Sequence, residues 1–339
     1  MVRLELLAAG VLFLGLVMYA VFAGADFGGG IWTALSSGPR ARAQREKLFD
    51  AIGPVWETNH VWLIFVVVTL FTAFPKGFAD LCTTLLVPLT IALVGITFRG
   101  AAFAFRHFGK ETGTGVPVLA RFFEISSVLT PFALGVSVTA AASGTIYAAS
   151  SQVRPPLWSW VTPFNLTGGV IGVAVCAYLA PLYMTVRTKG DLQDDFRIRG
   201  ILAGIVLGVV TALQIPVARF SAPLFADRLF RPWVVAVVCL AVAGGIATQG
   251  ALWRRRYLWA QFFGAGTVAA TIAGFAAAIY PDLLIGTLTL SAAAAPREAL
   301  VAFLVVVPVG SLVLVPSLIF LYWTFRGEPN PEAPPDVEE

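Results

Sequence analysis

The stretch LELLAAGVLFLGLVMYAVFAGA, residues 4–25, carries one charged side chain, Glu5, in an otherwise apolar run. A helix needs roughly 20 apolar residues to cross the hydrocarbon of a bilayer. Lipid offers no partner to a free N–H or C=O, so such a run must close its hydrogen bonds within itself as a helix. A cleaved leader is the competing reading, because Ala23-Gly24-Ala25 resembles a processing site. The basic n-region is only Arg3, offset by Glu5, and similar runs recur downstream, so the segment reads as a retained span. Working outward, eight further runs fall at about 54–74, 81–98, 125–149, 163–186, 200–218, 232–252, 258–279 and 299–325. The fold class is an all-α integral membrane protein, a bundle of about nine transmembrane helices.

Composition agrees. Hydrophobic residues make up 58% of the 339 and charged residues 12%, with a mean hydropathy of +0.83. A soluble domain carries roughly 25% charged residues. The net charge of +4 comes from basic residues in short loops, which is an orientation signal and excludes a nucleic-acid surface. Sixteen of the 23 Lys and Arg fall on one side (within 40–47, 99–121, 187–199 and 254–256, plus Arg326) and seven on the other. That asymmetry puts the N-terminus outside and the C-terminus in the cytoplasm, as in a bacterial or archaeal inner membrane. Residues 1–326 form the transmembrane domain, and the acidic, proline-rich tail 327–339 reads as disordered. Pro88, Pro181, Pro216, Pro308 and Pro316 should kink or break helices locally. Cys82, Cys176 and Cys239 each lie alone in an apolar run and read as small buried side chains. Thr130-Pro131-Phe132 and Thr162-Pro163-Phe164 echo each other, but two short matches on consecutive antiparallel spans do not make an inverted repeat.

Two segments interrupt the apolar pattern. In Tyr19-Ala-Val-Phe-Ala-Gly24-Ala-Asp26-Phe-Gly28, at the inner end of span one, Gly24 and Gly28 share a face that permits close helix packing. Asp26 stands among them, where a carboxylate is costly unless paired or solvated. In Gly53-Pro54-Val-Trp56-Glu57-Thr58-Asn59-His60-Val-Trp62, Pro54 suits a first helical turn. Glu57 would then meet the helix N-terminus favourably, with His60 on the same side. Glu57 is thus either an interfacial cap or a proton-handling carboxyl entering the membrane. Asp26, Glu57 and Arg99 together could also form the substrate or ion site of a secondary transporter.

These two segments resemble the start of cytochrome bd oxidase subunit II. The likeness continues in Phe98-Arg99, in Pro163-Phe164-Asn165-Leu-x-Gly168-Gly169, in Arg187-Thr-Lys-Gly190-Asp191-Leu, and in Tyr280-Pro281 with Thr287-Leu-Thr-Leu290. The resemblance implies a nine-helix subunit that pairs with a related subunit I. It also implies that two haems b, one haem d and the quinol-oxidising loop all lie in that partner. Small single-span accessory subunits and a bound quinone or lipid are compatible with it. The chain then ligates no haem or metal. Its role would be to stabilise subunit I, to take up protons through Glu57, Asp26 and His60, and to guide oxygen or pack near the partner's haem through Trp56, Asn59 and Trp62. Arg99, Gly24 and Gly28 would be structural. The histidine content agrees, since only His60 and His107 are present and haem iron needs axial ligands such as His, Met or Cys.

The sequence departs from the family pattern in places. Ala23 replaces the first acid of an Asp-Gly-x-Asp motif, and Trp56-Glu57-Thr58-Asn59 stands for Trp-Asp-Gly-Asn. Ala104 stands where an acid is usual, and alanines at 292–295 replace a polar residue. The transporter reading is opposed by the absence of inverted repeats and by the length of the resemblance.

Overall fold

The computed structural model describes residues 3–112, 117–151 and 155–324, with side chains except at 52–58, 106–112, 117, 318 and 321–324. The tail 327–339 and its expected disorder therefore lie outside the described residues. The elements run α1 Leu4–Ala34, α2 Ala41–Ala73, α3 Pro75–Thr84, α4 Leu86–Thr112, α5 Pro117–Ser143 and α6 Pro163–Arg187. Then follow α7 Gly190–Ser221, α8 Pro223–Leu229, α9 Pro232–Trp253, α10 Tyr257–Ile279, strands β1 Asp282–Leu284 and β2 Leu288–Thr289, α11 Leu290–Ala293 and α12 Arg297–Thr324. Among the described residues eight helices are long and apolar enough to cross a membrane, or nine when α2 and α3 are counted as one bent span. The protein is an all-α, multi-pass membrane protein, with one antiparallel β1–β2 hairpin that the apolar runs did not announce.

Several boundaries differ from the sequence reading, and three matter most. α1 continues through the glycine segment to Ala34, so Asp26 stands inside a 31-residue helix and not at its inner end. α2 begins at Ala41 with Arg40 as its N-cap, so residues 41–47 of the basic stretch are helix and not loop. That stretch is rich in Ala, Gln, Arg, Glu, Lys and Leu, all good helix formers. Pro54 and Glu57 therefore stand within α2 and not in its first turn. Third, residues 81–84 belong to α3, which Pro75 opens at a 117° bend from α2, while Pro88 falls in the first turn of α4. At α5 the helix stops at Ser143, because Gly144 turns the chain at φ 74°. The two Thr-Pro-Phe motifs serve different ends. Pro131 lies within α5, whereas Thr162 caps α6, its hydroxyl accepting from the Asn165 N–H.

α1 and α6 form the middle of the bundle. The Trp32 indole donates to the Ala177 carbonyl across their crossing at 2.8 Å. One end of the bundle is tied by the acidic first turns of α7. Arg40 forks onto Asp195 (2.9 and 2.7 Å), Gln44 donates to the same carboxylate, and Arg255 reaches Asp194 at 3.2 Å. Three of the basic connections grouped by the sequence count thus share one face. At the other end Arg228 bonds Asp282 and the Ile279 carbonyl, both at 2.7 Å.

Candidate functional site

Asp26 is wholly buried on α1, and three helices converge on it. Arg99 of α4 donates through Nη1 to Oδ2 at 2.9 Å and through Nη2 to the Asp26 carbonyl at 2.8 Å. Nη2 also stands 2.8 Å from Oδ1. Asn59 of α2 donates its amide to Oδ2 at 3.1 Å. From α5, Ser127 accepts the Arg99 Nε–H at 3.0 Å and donates onward to the Phe123 carbonyl. The rings of Phe27 and Phe123 each lie 4.7 Å from the guanidinium carbon, a stacking arrangement that arginine favours.

Each charge alone would be expensive in this interior, and together they cancel. Arg99 is 1% exposed, which removes it from the loop charges counted for orientation. Oδ2 accepts both side-chain hydrogen bonds, while Oδ1 has only the ion-pair approach of Arg99 and no hydrogen-bond partner among the described residues. The pair ties α1, α2, α4 and α5 to one another. The sequence flagged both residues but not their pairing. The signal available was two opposite charges inside apolar spans. Ser127 was missed, since a serine in a helix most often only bonds its own backbone, as this one also does at the Phe123 carbonyl.

Gly24 and Gly28 are packed within this chain, against α6. A Cβ on Gly28 would run into the Cys176 carbonyl and Ala180, and one on Gly24 into the Leu179 side chain. The small-residue face that permits close helix packing is thus taken up by α6.

Around the Asp26 node several buried polar atoms lack partners among the described residues: the Asn59 carbonyl oxygen, the Trp62 indole N–H and the Tyr19 hydroxyl. Tyr19 lies two turns before Asp26 on the same face of α1. Trp62 lies one turn after Asn59 and meets Phe65 edge-on at 5.8 Å. A cavity of about 10 Å³ between Ala25, Gly29, Ala51 and Tyr183 flanks the same stretch of α1. That is about the room one water needs. His60 is half-buried on α2. The side chains of Trp56, Glu57 and His107 lie outside the described residues. Ala104 is exposed on α4. The alanine run at 292–295 lets the Ala295 N–H reach the Ala73 carbonyl at 2.9 Å, a close approach in which small side chains fit.

The fold and its node define a polytopic helical membrane protein organised by a buried Asp–Arg pair. More particularly, the chain belongs to the cytochrome bd terminal oxidase subunit II family, whose model matches residues 4–325. It is similar to the cytochrome bd ubiquinol oxidase subunit 2 of Bacillus subtilis (strain 168), at 31% identity over 213 residues, 62% of this chain and 60% of that relative. It is also similar to the cytochrome bd-I ubiquinol oxidase subunit 2 of Escherichia coli (strain K12), at 28% identity over 211 residues, 61% of this chain and 54% of that one. The matches thus span about 60% or less of those relatives' lengths. A chain in the structure of bd oxidase from Geobacillus thermodenitrificans shares the fold. Its TM-score is 0.75 at 22% identity, covering 96% of this chain and 99% of that one.

Proposed function

We propose that this chain is the haem-free second subunit of a bd-type terminal quinol oxidase, set in a bacterial inner membrane with its N-terminus outside. In this reading subunit I holds two haems b and a haem d, which supply the redox chemistry. The residues of this chain hold the assembly together, deliver protons from the cytoplasmic face and help oxygen approach. The family match across residues 4–325 carries the reading. The buried Asp26–Arg99 pair, each charge facing the other, also argues against these two residues serving as the open charged site that a transporter would offer its substrate.

Proton delivery rests on Glu57. Its place sixteen residues into α2 argues against a role as helix-end cap. Asn59 links its neighbourhood to Asp26, and the unpartnered polar atoms of Asn59, Trp62 and Tyr19 suit internal water. Water so held could carry protons from Glu57 toward the partner, with Asp26 and Arg99 fixing the helices around it. Trp56 and Trp62 would line the route by which oxygen approaches. Glu57→Gln keeps shape and polarity while abolishing titration, so quinol-driven oxygen consumption by the purified complex should fall several-fold at unchanged haem content. Full turnover from pH 6 to 8 would remove Glu57 from the route.

A further inference from the structure

Three consecutive arginines, Arg254, Arg255 and Arg256, make the turn between α9 and α10, and the turn sorts them. The end of α9 closes as a Schellman motif, the Arg256 N–H donating to the Ala251 carbonyl at 2.8 Å and the Arg255 N–H to Leu252 at 3.1 Å. Arg255 occupies the left-handed position of that motif, at φ 57°, where glycine is usual. Its guanidinium turns away to Asp194 on α7. Arg254 and Arg256 instead line a groove of about 520 Å³ whose other walls include Ala247, Gly250, Trp259 and Phe263. Asp194, the carboxylate that pairs with this turn, is shared by Arg255 and Arg197.

Two further features point the same way. α10 starts at Tyr257 with no acid in its first turn and no side-chain cap, so the positive end of the helix adjoins Arg256 unneutralised. Trp253 and Trp259 are 78% and 55% exposed at these helix ends, the level at which tryptophan meets lipid headgroups. A soluble anion would use the arginines but has no need of the apolar wall. An acyl chain would use the wall but not the arginines.

We propose that this groove binds an anionic phospholipid, its phosphate between the guanidiniums of Arg254 and Arg256 and its first acyl carbons over Gly250 and Phe263. The site is independent of the oxidase reading. It can be tested on the purified full chain with any co-purifying partner, delipidated in mild detergent and titrated with phosphatidylglycerol or phosphatidylcholine while bound lipid is counted by native mass spectrometry. Phosphatidylglycerol should bind about tenfold or more weakly to R254Q/R256Q than to the parent. The control R42Q/K47Q, which removes the same charge elsewhere on that face, should bind normally. Phosphatidylcholine should bind weakly to all, and excess inorganic phosphate should not displace the lipid. Gly250→Leu fills the groove with both arginines kept, in a position where an added Cβ meets nothing within 4 Å. It should weaken binding too, and it keeps the test decisive if R254Q/R256Q does not fold. Unchanged phosphatidylglycerol affinity in the groove variants would overturn the proposal. So would equal loss in the control, equal binding of phosphatidylcholine, or displacement by inorganic phosphate.

Discussion

Replacing Asp26 by Asn keeps the shape of the side chain but leaves the Arg99 guanidinium facing a neutral amide in a buried, aromatic-walled site. Breaking one side of such a pair costs about 3–5 kcal/mol, because the surviving charge stays buried. Asp26→Asn and Arg99→Gln should therefore each sharply lower the yield of assembled complex, measured by affinity purification. Asp26→Leu with Arg99→Met removes both charges at similar volume and should recover much of that yield. A double variant as poor as either single one would show that the pair does more than cancel charge. Gly28 presents a different limit. A side chain there meets the main-chain carbonyl of Cys176, which has no rotamer to yield. Gly28→Leu should thus cost about 1–3 kcal/mol or more, read as lower melting temperature and yield, while Gly250→Leu should leave both unchanged.

Among the elements, the apolar runs located every long helix, because a span announces itself by length and hydropathy alone. Its ends are quieter. The extension of α2 back to Ala41 was hidden by the charges of 40–47, which look like a loop to a hydropathy reading yet favour helix once the chain leaves the lipid. The consequence falls on Glu57, whose supposed helix-end position disappears. The break between α2 and α3 at Phe74-Pro75 was open to inspection, since proline at a first turn and the bend that precedes it are local signals. The candidate site was legible in part. Asp26 and Arg99 stood out as charges beside apolar runs and Asn59 only as part of the Trp56–Trp62 segment, and which of them meet is decided by the packing of α1 against α2, α4 and α5. No spacing along one chain segment encodes that, as the partners are 33 and 73 residues apart.

At the scale of the molecule, the α1–α2, α6–α7 and α9–α10 connections lie on one face, joined through Asp194 and Asp195. Reporter fusions at Gly38 and Gly190 should consequently agree with each other, and the basic excess assigns both to the cytoplasm. A periplasmic signal from Gly38 would reverse the orientation. Opposite signals from the two would contradict the shared face itself. Gly113, a further useful fusion point, lies outside the described residues. The account as a whole rests on this chain being a haem-free member of a haem-bearing oxidase. The most direct test is to purify the tagged chain from its native membrane and record a reduced-minus-oxidised spectrum with quinol-driven oxygen uptake, for the parent and for His60→Ala. The account predicts a co-purifying membrane partner, haem b and haem d bands, oxygen uptake, and all bands retained in His60→Ala. A preparation with neither haem nor oxygen uptake would contradict it, as would loss of one haem band in the assembled His60→Ala complex.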